Sequence, residues 1–347
     1  MIELSTLENF NPPSDWIEIQ TIEAHTGGEP LRVILSGFPA LDGASILSKR
    51  KELSLNHDYL RKVLMWEPRG HSDMYGALLV DPEFSTSDIG VIFMHNNGYS
   101  TGCGHAIIAL TKIFIETKTV PLIKPTTKIL IETPSGIVTA FARVSDTNFV
   151  EVYFENVPSF VQELDAIIEV PEIGKIKYDL AYGGAFYAIV SIKDLNLELK
   201  HKYLDEITSL GKKIKKAISS KVDCMHPTEP QMNSLYGTIF VDDSDNPECH
   251  SKNICIFADG ELDRSPTGTG VSARVAVENS RGNLNIGEKI YIESITGAIF
   301  SVSAKKTVSI GGCEGVIPQV GGDASITGKS TFWIDPSDPL KDGFLLK

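Results

Sequence analysis

The sequence predicts an α/β (α+β) protein built from two similar domains whose equivalent loops face one cleft. Three observations predict it. The chain has 347 residues, enough for two domains that each bury a core. Short β-branched runs are interspersed with a few helical ones. Three internal echoes recur in one order at nearly one offset. "TGCGHA" (101–106) is echoed by "SPTGTG" (265–270), which places Cys103 and Thr267 164 residues apart. "IETPSGIV" (131–138) is echoed by "IESITGAI" (292–299), and "AHTGG" (24–28) by "AYGG" (181–184), at offsets of 161 and 157. Self-similarity of this kind constrains architecture before any single element does.

Strands are expected in the first half at "WIEIQTIEAH", "RVILSGF", "GALLVD", "IGVIFMH", "KILIETPSG" and "FVEVYFENV". The second half offers "FYAIVSI", "YGTIFVDD", "ICIFAD", "KIYIES" and "IFSVSAKK". Many alternate or are β-branched, and turn-forming residues separate several of them. Helices are expected near 55–64, 104–117, 202–219 and 269–279. "GHAIIALTKIFIE", after Cys103, is apolar round most of its circumference and so belongs inside a core. The echoes set the first domain at 1–158, with "ENVPSF" as linker, and the second at 159–322. The tail 323–347, with "TFWIDPSDPL", is expected to return to the first domain.

Composition excludes several functions. A net charge of −13, with no basic run longer than "KKIKK" (212–216), argues against nucleic acid as a partner. No tract is apolar enough to span a membrane, and the N-terminus lacks the order of a signal peptide, so a cytoplasmic protein is expected. Five cysteines without a C-x-x-C pair read as free thiols. Cys249, His250 and Cys255 fit no zinc spacing, and no metal is expected.

The chemistry gathers in the two echoed loops. Each sets one side chain, Cys103 or Thr267, ahead of small residues and a helix. The unpaired N–H groups of a helix start are a ready site for a carboxylate. Gly104, Gly268 and Gly270 let a ligand approach the backbone. The same position is expected to lower the Cys103 thiol from its reference pKa of about 8.5. Read alone, Thr267 is an ordinary helix N-cap and Cys103 a buried small residue.

"EAHTGGEPLRV", "RGHSDMYGALLV", "TGCGHA" and "DRSPTGTG" resemble the signature segments of the proline racemase family over nearly the whole chain. The resemblance implies the diaminopimelate epimerase-like fold, with a sheet or barrel round a central helix in each domain and the active site in the interdomain cleft. It implies cofactor-independent chemistry on an imino acid, in a homodimer. In the family's racemases and 4-hydroxyproline epimerases both loops carry cysteine, one for each face of the α-carbon. Here the second is Thr267, a pattern resembling the branch that dehydrates trans-3-hydroxy-L-proline. By position, Gly104, His105, Gly268 and Thr269 match the carboxylate-binding loops. Asp263 matches the partner of the ring nitrogen, and His71 and Tyr75 match pocket-lining positions. His25 reads equally well as structural, and His57, His95 and His201 carry no assignment.

The residues support one-face chemistry independently. A threonine hydroxyl is too weak an acid to replace a thiol. In trans-3-hydroxy-L-proline the hydroxyl and the α-hydrogen share a ring face, so one thiol can serve both. A racemase or epimerase with a weak second acid, and a non-catalytic imino-acid binder, are the alternatives.

Overall fold

The computed structural model describes residue 4, residues 9–144 and residues 150–346. Eighteen strands form one continuous hydrogen-bonded system wrapped round two helices. In the first half β1 (Ile17–Thr26) and β2 (Glu29–Ser36) form a hairpin, followed by α1 (Ile46–Asn56) and α2 (Asp58–Met65). Next come β3 (Tyr75–Val80), β4 (Ile89–His95), the short β5 (Gly98–Ser100) and α3 (Gly104–Glu116). β6 (Thr126–Thr133), β7 (Gly136–Val144) and β8 (Val150–Glu155) complete it. Phe149, which opens the last strand run of the first half, lies outside the described residues.

The second half begins with β9 (Ser159–Val170), β10 (Gly174–Tyr182) and β11 (Phe186–Ser191), then α4 (Leu204–Ser219). β12 (Leu235–Asp242), β13 (Ser251–Phe257) and β14 (Glu261–Asp263) lead into α5 (Gly268–Ser280). β15 (Lys289–Ser294), β16 (Ile299–Ile310) and β17 (Cys313–Gly322) follow, and β18 (Ala324–Ile334) ends the sheet.

The two halves repeat one topology. β2 runs parallel to β3 as β11 does to β12, and β4 parallel to β6 as β13 does to β15. The second half is a closed barrel, because β17 pairs with β16 on one side and β9 on the other. In the first half β18 supplies the strand beside β1 that β9 supplies beside β10. β17 also pairs with β8 through Gln319–Gly322, joining the halves. All three sequence echoes fall at equivalent places: the β1–β2 and β10–β11 turns, the β6–β7 and β15–β16 turns, and the starts of α3 and α5.

α3 is buried because its sequence offers little polar face to water, whereas α5 is buried with Arg274 satisfied by Ser251 and Asn253. From Gly104 to Leu110 the residues of α3 are all buried, and in α5 burial runs unbroken from Gly268 to Val277. Burying one such Ile or Val side chain stabilises by about 1.5–3 kcal/mol, so the sheet that encloses them is held by its own contents. α1 and α2 cover the outside of the first sheet through a second apolar cluster that includes Leu53, Leu60, Leu64 and Ile334. α4 carries out the same covering on the second half, with Ile207, Ile214 and Ile218 fully buried. Among the described residues no helix is long and apolar enough to cross a membrane.

Several strands escape the sequence reading. β9, β10 and β18 carry charged or polar residues on the face turned to water, and α1 has no apolar stripe. α1 is started by a capping box instead: Ser45 and Ser48 each bond the other's backbone N–H.

Candidate active site

The starts of α3 and α5 meet at the junction of the halves. A Cβ built on Gly104 would lie 2.5 Å from the Cα of Gly268, and one built on Gly268 equally close to Gly104. Only glycine permits this backbone contact. It brings the free N–H groups of both helix ends to a single buried cavity of about 20 Å³.

Cys103 and Thr267 line that cavity from opposite helices. Cys103 is the N-cap of α3, in an extended conformation, and its sulfur accepts the Ala106 N–H at 3.4 Å. The His105 ring lies beside it, with Nδ1 3.2 Å from Sγ. The His105 ring also bonds the Pro30 carbonyl, and burial pushes its pKa down to about 3, so the imidazole is neutral. The Cys103 thiol differs from the sequence expectation. Burial pushes it well above its ordinary value and outweighs the Ala106 N–H and the Tyr75 hydroxyl, while Asp263 and Glu29 push the same way. A helix start lowers a thiol pKa only where desolvation does not exceed it.

Thr267 occupies the N-cap of α5 but does not cap it. Its φ is +66°, unusual for a β-branched residue, and its hydroxyl is buried without a hydrogen-bond partner. Its loop is one residue longer than that of Cys103, counted from the strand pairs Phe93–Ser100 and Cys255–Asp263. Cys255 has no exposed surface and does not line the cavity, so Cys103 is the one thiol among the cavity-lining residues.

Asp263 ends β14 at the cavity wall. Burial raises its carboxyl to about 6, against the bonds it receives from Ser265. Thr269 Oγ1 meets the Tyr187 hydroxyl at 2.6 Å. Tyr75 bonds Ser100 through its hydroxyl and sets its ring edge-on to His105, 4.8 Å between centroids.

His71 is a correction. Its side chain is exposed, it does not line the cavity, and its Nδ1 turns to the adjacent Ser72 carbonyl at 2.6 Å. Its own carbonyl accepts from Asn96, which fixes the bend with the ring pointing away. His25 is structural, accepting the Gly28 N–H within its hairpin.

Two cavity-lining tyrosines, Tyr187 and Tyr236, are missing from the sequence reading. Tyr236 could have been found. "YGALLVD" (75–81) is echoed by "YGTIFVD" (236–242) at an offset of 161, making Tyr236 the internal counterpart of Tyr75. Its ring stacks on Phe257, and its hydroxyl is buried with no partner of ordinary geometry.

Residues 21–345 match the proline racemase family, and the chain belongs to that family. It is 48% identical to the trans-3-hydroxy-L-proline dehydratase of Colwellia psychrerythraea, over 96% of this chain and 94% of that protein. It is 40% identical to a 3-hydroxyproline 2-epimerase of Burkholderia multivorans, over 95% and 98% of the two chains. Among solved structures, a hydroxyproline epimerase from Agrobacterium vitis with bound trans-4-hydroxy-L-proline superposes with a TM-score of 0.88. That chain is 30% identical, and the match covers 95% of this chain and 96% of the other.

Proposed function

We propose that the protein is a hydro-lyase that dehydrates trans-3-hydroxy-L-proline to pyrroline-2-carboxylate without a cofactor. One observation carries the reading: a single thiol, Cys103, reaches the cavity, and its counterpart position holds a hydroxyl, Thr267. The naming of relatives at 40–48% identity supports the same substrate.

The substrate carboxylate would sit on the N–H groups at Gly104–His105 and Gly268–Thr269, where both helix ends favour an anion. Its secondary ammonium would pair with Asp263. That pairing neutralises one of the charges holding the Cys103 thiol up, so the substrate itself makes the thiolate more accessible. The thiol proton leaves to solvent, because His105, in contact with the sulfur through Nδ1, is held neutral by burial.

The thiolate then removes the α-proton. The C–H electron pair forms the C2–C3 double bond as the C3–O bond breaks. The new S–H lies on the same face as the departing hydroxyl and protonates it, giving water and returning the thiolate. Negative charge growing on the carboxylate is met by the helix N–H groups; one well-aimed donor of this kind is worth about 2.7–4 kcal/mol in other enzymes. The enamine tautomerises to the cyclic imine. Thr267 holds the opposite face without a transferable proton. Tyr236, whose hydroxyl lies against Tyr75 and near Cys103, meets the 3-hydroxyl.

The enzyme is further proposed to act in the cytoplasm as a homodimer, in keeping with the family resemblance; light scattering of the pure protein tests the dimer. Function is tested by proton NMR in heavy water with trans-3-hydroxy-L-proline and L-proline together. The expected result is loss of the hydroxylated compound and growth of pyrroline-2-carboxylate, while proline keeps its α-hydrogen. Deuterium entering proline with inversion would overturn the one-thiol reading in favour of an epimerase.

A further inference from the structure

Across the junction from Asp263, the tip of the β1–β2 hairpin seals in a carboxyl group that the chemistry above does not use. Glu29 has no exposed surface. Its Oε2 accepts the Arg264 main-chain N–H at 2.8 Å and lies 3.5 Å from the Arg264 guanidinium, while Oε1 is buried without a partner. Arg264 directly follows Asp263, so this bond grips the segment that carries the ring-nitrogen partner.

The same hairpin holds the other end of the site. Thr26 Oγ1 donates to the His105 carbonyl at 2.8 Å, in the first turn of α3. The Gly27 carbonyl accepts from Thr296 Oγ1 at 2.9 Å, and that hydroxyl is also 3.2 Å from the Arg264 carbonyl. Gly27 has φ +60°, and a Cβ there would come within 2.9 Å of Ala298, so the tip is seated against the second half.

The internal duplicate shows that packing alone does not require an acid here. In the β10–β11 hairpin, Phe186 pairs with Tyr182 where Glu29 pairs with Thr26. The loop near that second hairpin also lacks a carboxylate, because Ser100 stands where Asp263 does. The buried acid thus occurs only on the hairpin that meets the acidic loop. Burial, and then the adjacent Asp263, hold the Glu29 carboxyl well above the usual range; Arg264 opposes this and Asp73 adds to it.

We propose that Glu29 is a positioning residue: its acceptor oxygen fixes the Arg264 main chain, and so sets Asp263 for the substrate's ring nitrogen. Thr26 ties the same hairpin to the carboxylate end of the site. This rests on the imino-acid reading above.

The test compares Glu29→Gln, Glu29→Ala and Thr296→Val in the full chain, by calorimetric titration with L-proline and by kcat and KM for trans-3-hydroxy-L-proline. Gln keeps the acceptor and adds no charge, so both affinity and KM are expected within threefold of the parent. Ala is expected to raise the proline Kd and KM at least tenfold with kcat changed less than threefold, and Thr296→Val to raise them about threefold. Gln as damaging as Ala, or Ala leaving affinity within threefold, overturns the proposal. If the Ala variant does not fold, an unchanged affinity in Thr296→Val overturns it. If the parent binds proline but does not dehydrate the hydroxylated substrate, the reaction assigned above fails and the proline affinities alone decide Glu29. Failure of the parent to bind any imino acid overturns both.

Discussion

The starts of α3 and α5 are the same structure made twice, and they differ where it matters for chemistry. They meet across a glycine–glycine contact, and both offer free N–H groups to one cavity. Cys103 has ordinary extended backbone and a sulfur engaged by Ala106 and His105. Thr267 has left-handed backbone and a hydroxyl that makes no bond of ordinary geometry, lying beside Asp263 and Cys255. A duplicated scaffold therefore presents two like helix starts that carry unlike side chains, a thiol on one and a hydroxyl on the other. The difference teaches that the binding of a carboxylate and the number of exchangeable protons are set by separate features, backbone and side chain, and can be changed separately.

The comparison breaks most sharply at the thiol. Cys103→Ala removes the sole acid–base group on the reactive face, and dehydration is expected to fall by roughly 10²- to 10⁴-fold. Calorimetry with L-proline should show affinity nearly unchanged, since the helix N–H groups remain. A variant that keeps more than a tenth of the parent rate would assign the base elsewhere.

Installing the missing thiol sharpens it. Thr267→Cys gives each face a group able to exchange a proton, and deuterium is expected to enter the α-position of L-proline with inversion, which the parent does not catalyse. Dehydration should fall roughly tenfold, the equivalent of about 1.4 kcal/mol, as the hydroxyl's contact with substrate is lost. If no exchange appears, the left-handed backbone at 267 aims the side chain away from Cα, and residue identity is not what separates the two loops.

The tyrosines extend the same contrast. Tyr75 and Tyr236 are internal counterparts, yet the Tyr75 hydroxyl is taken by Ser100 and that of Tyr236 has no partner of ordinary geometry. Tyr236→Phe is expected to cost about 1–2 kcal/mol, or ~5- to 30-fold in kcat/KM, for trans-3-hydroxy-L-proline, while L-proline binds as before. Equal losses for both ligands would mean that Tyr236 shapes the pocket in general and does not read the hydroxyl.

How much of this was legible in the sequence follows from the same duplication. Echoes that carry turn glycines survive because a left-handed or crowded backbone position tolerates little else, so Gly28 and Gly184 mark equivalent hairpin turns, and Gly104 and Gly268 equivalent helix starts. The core position of α3 was readable because a circumference apolar over most of its extent has one destination; α5, with Ser272 and Arg274, gave no such signal. β9, β10 and β18 were not readable, because their outward residues are charged or polar, and β18 pairs with β1 from the other end of the chain. Local pattern also misplaced His71, which adjoins the site in the chain but turns its ring to Ser72. It missed the rise in the Cys103 pKa as well: the helix start is visible in sequence, whereas full burial depends on the second half closing over it.

Asp263 gives the smallest expected effect and the most direct view of the asymmetry, since its counterpart Ser100 cannot titrate. Burial raises the Asp263 carboxyl to about 6, so in the free enzyme it is ionised above that pH and neutral below it. The substrate's secondary ammonium stays charged throughout this range, and it needs the ionised form. kcat/KM, which reports the free enzyme, is therefore expected to carry an added acid limb below about pH 6, falling by up to a further tenfold for each unit. In the complex the ammonium stabilises the carboxylate, so the acid limb of kcat should lie at lower pH than that of kcat/KM. Asp263→Asn removes the titration, and its profile should lose this limb while the activity at pH 7 falls. A limb that persists in Asp263→Asn would move the titrating group to another residue and leave the ring nitrogen without its assigned partner.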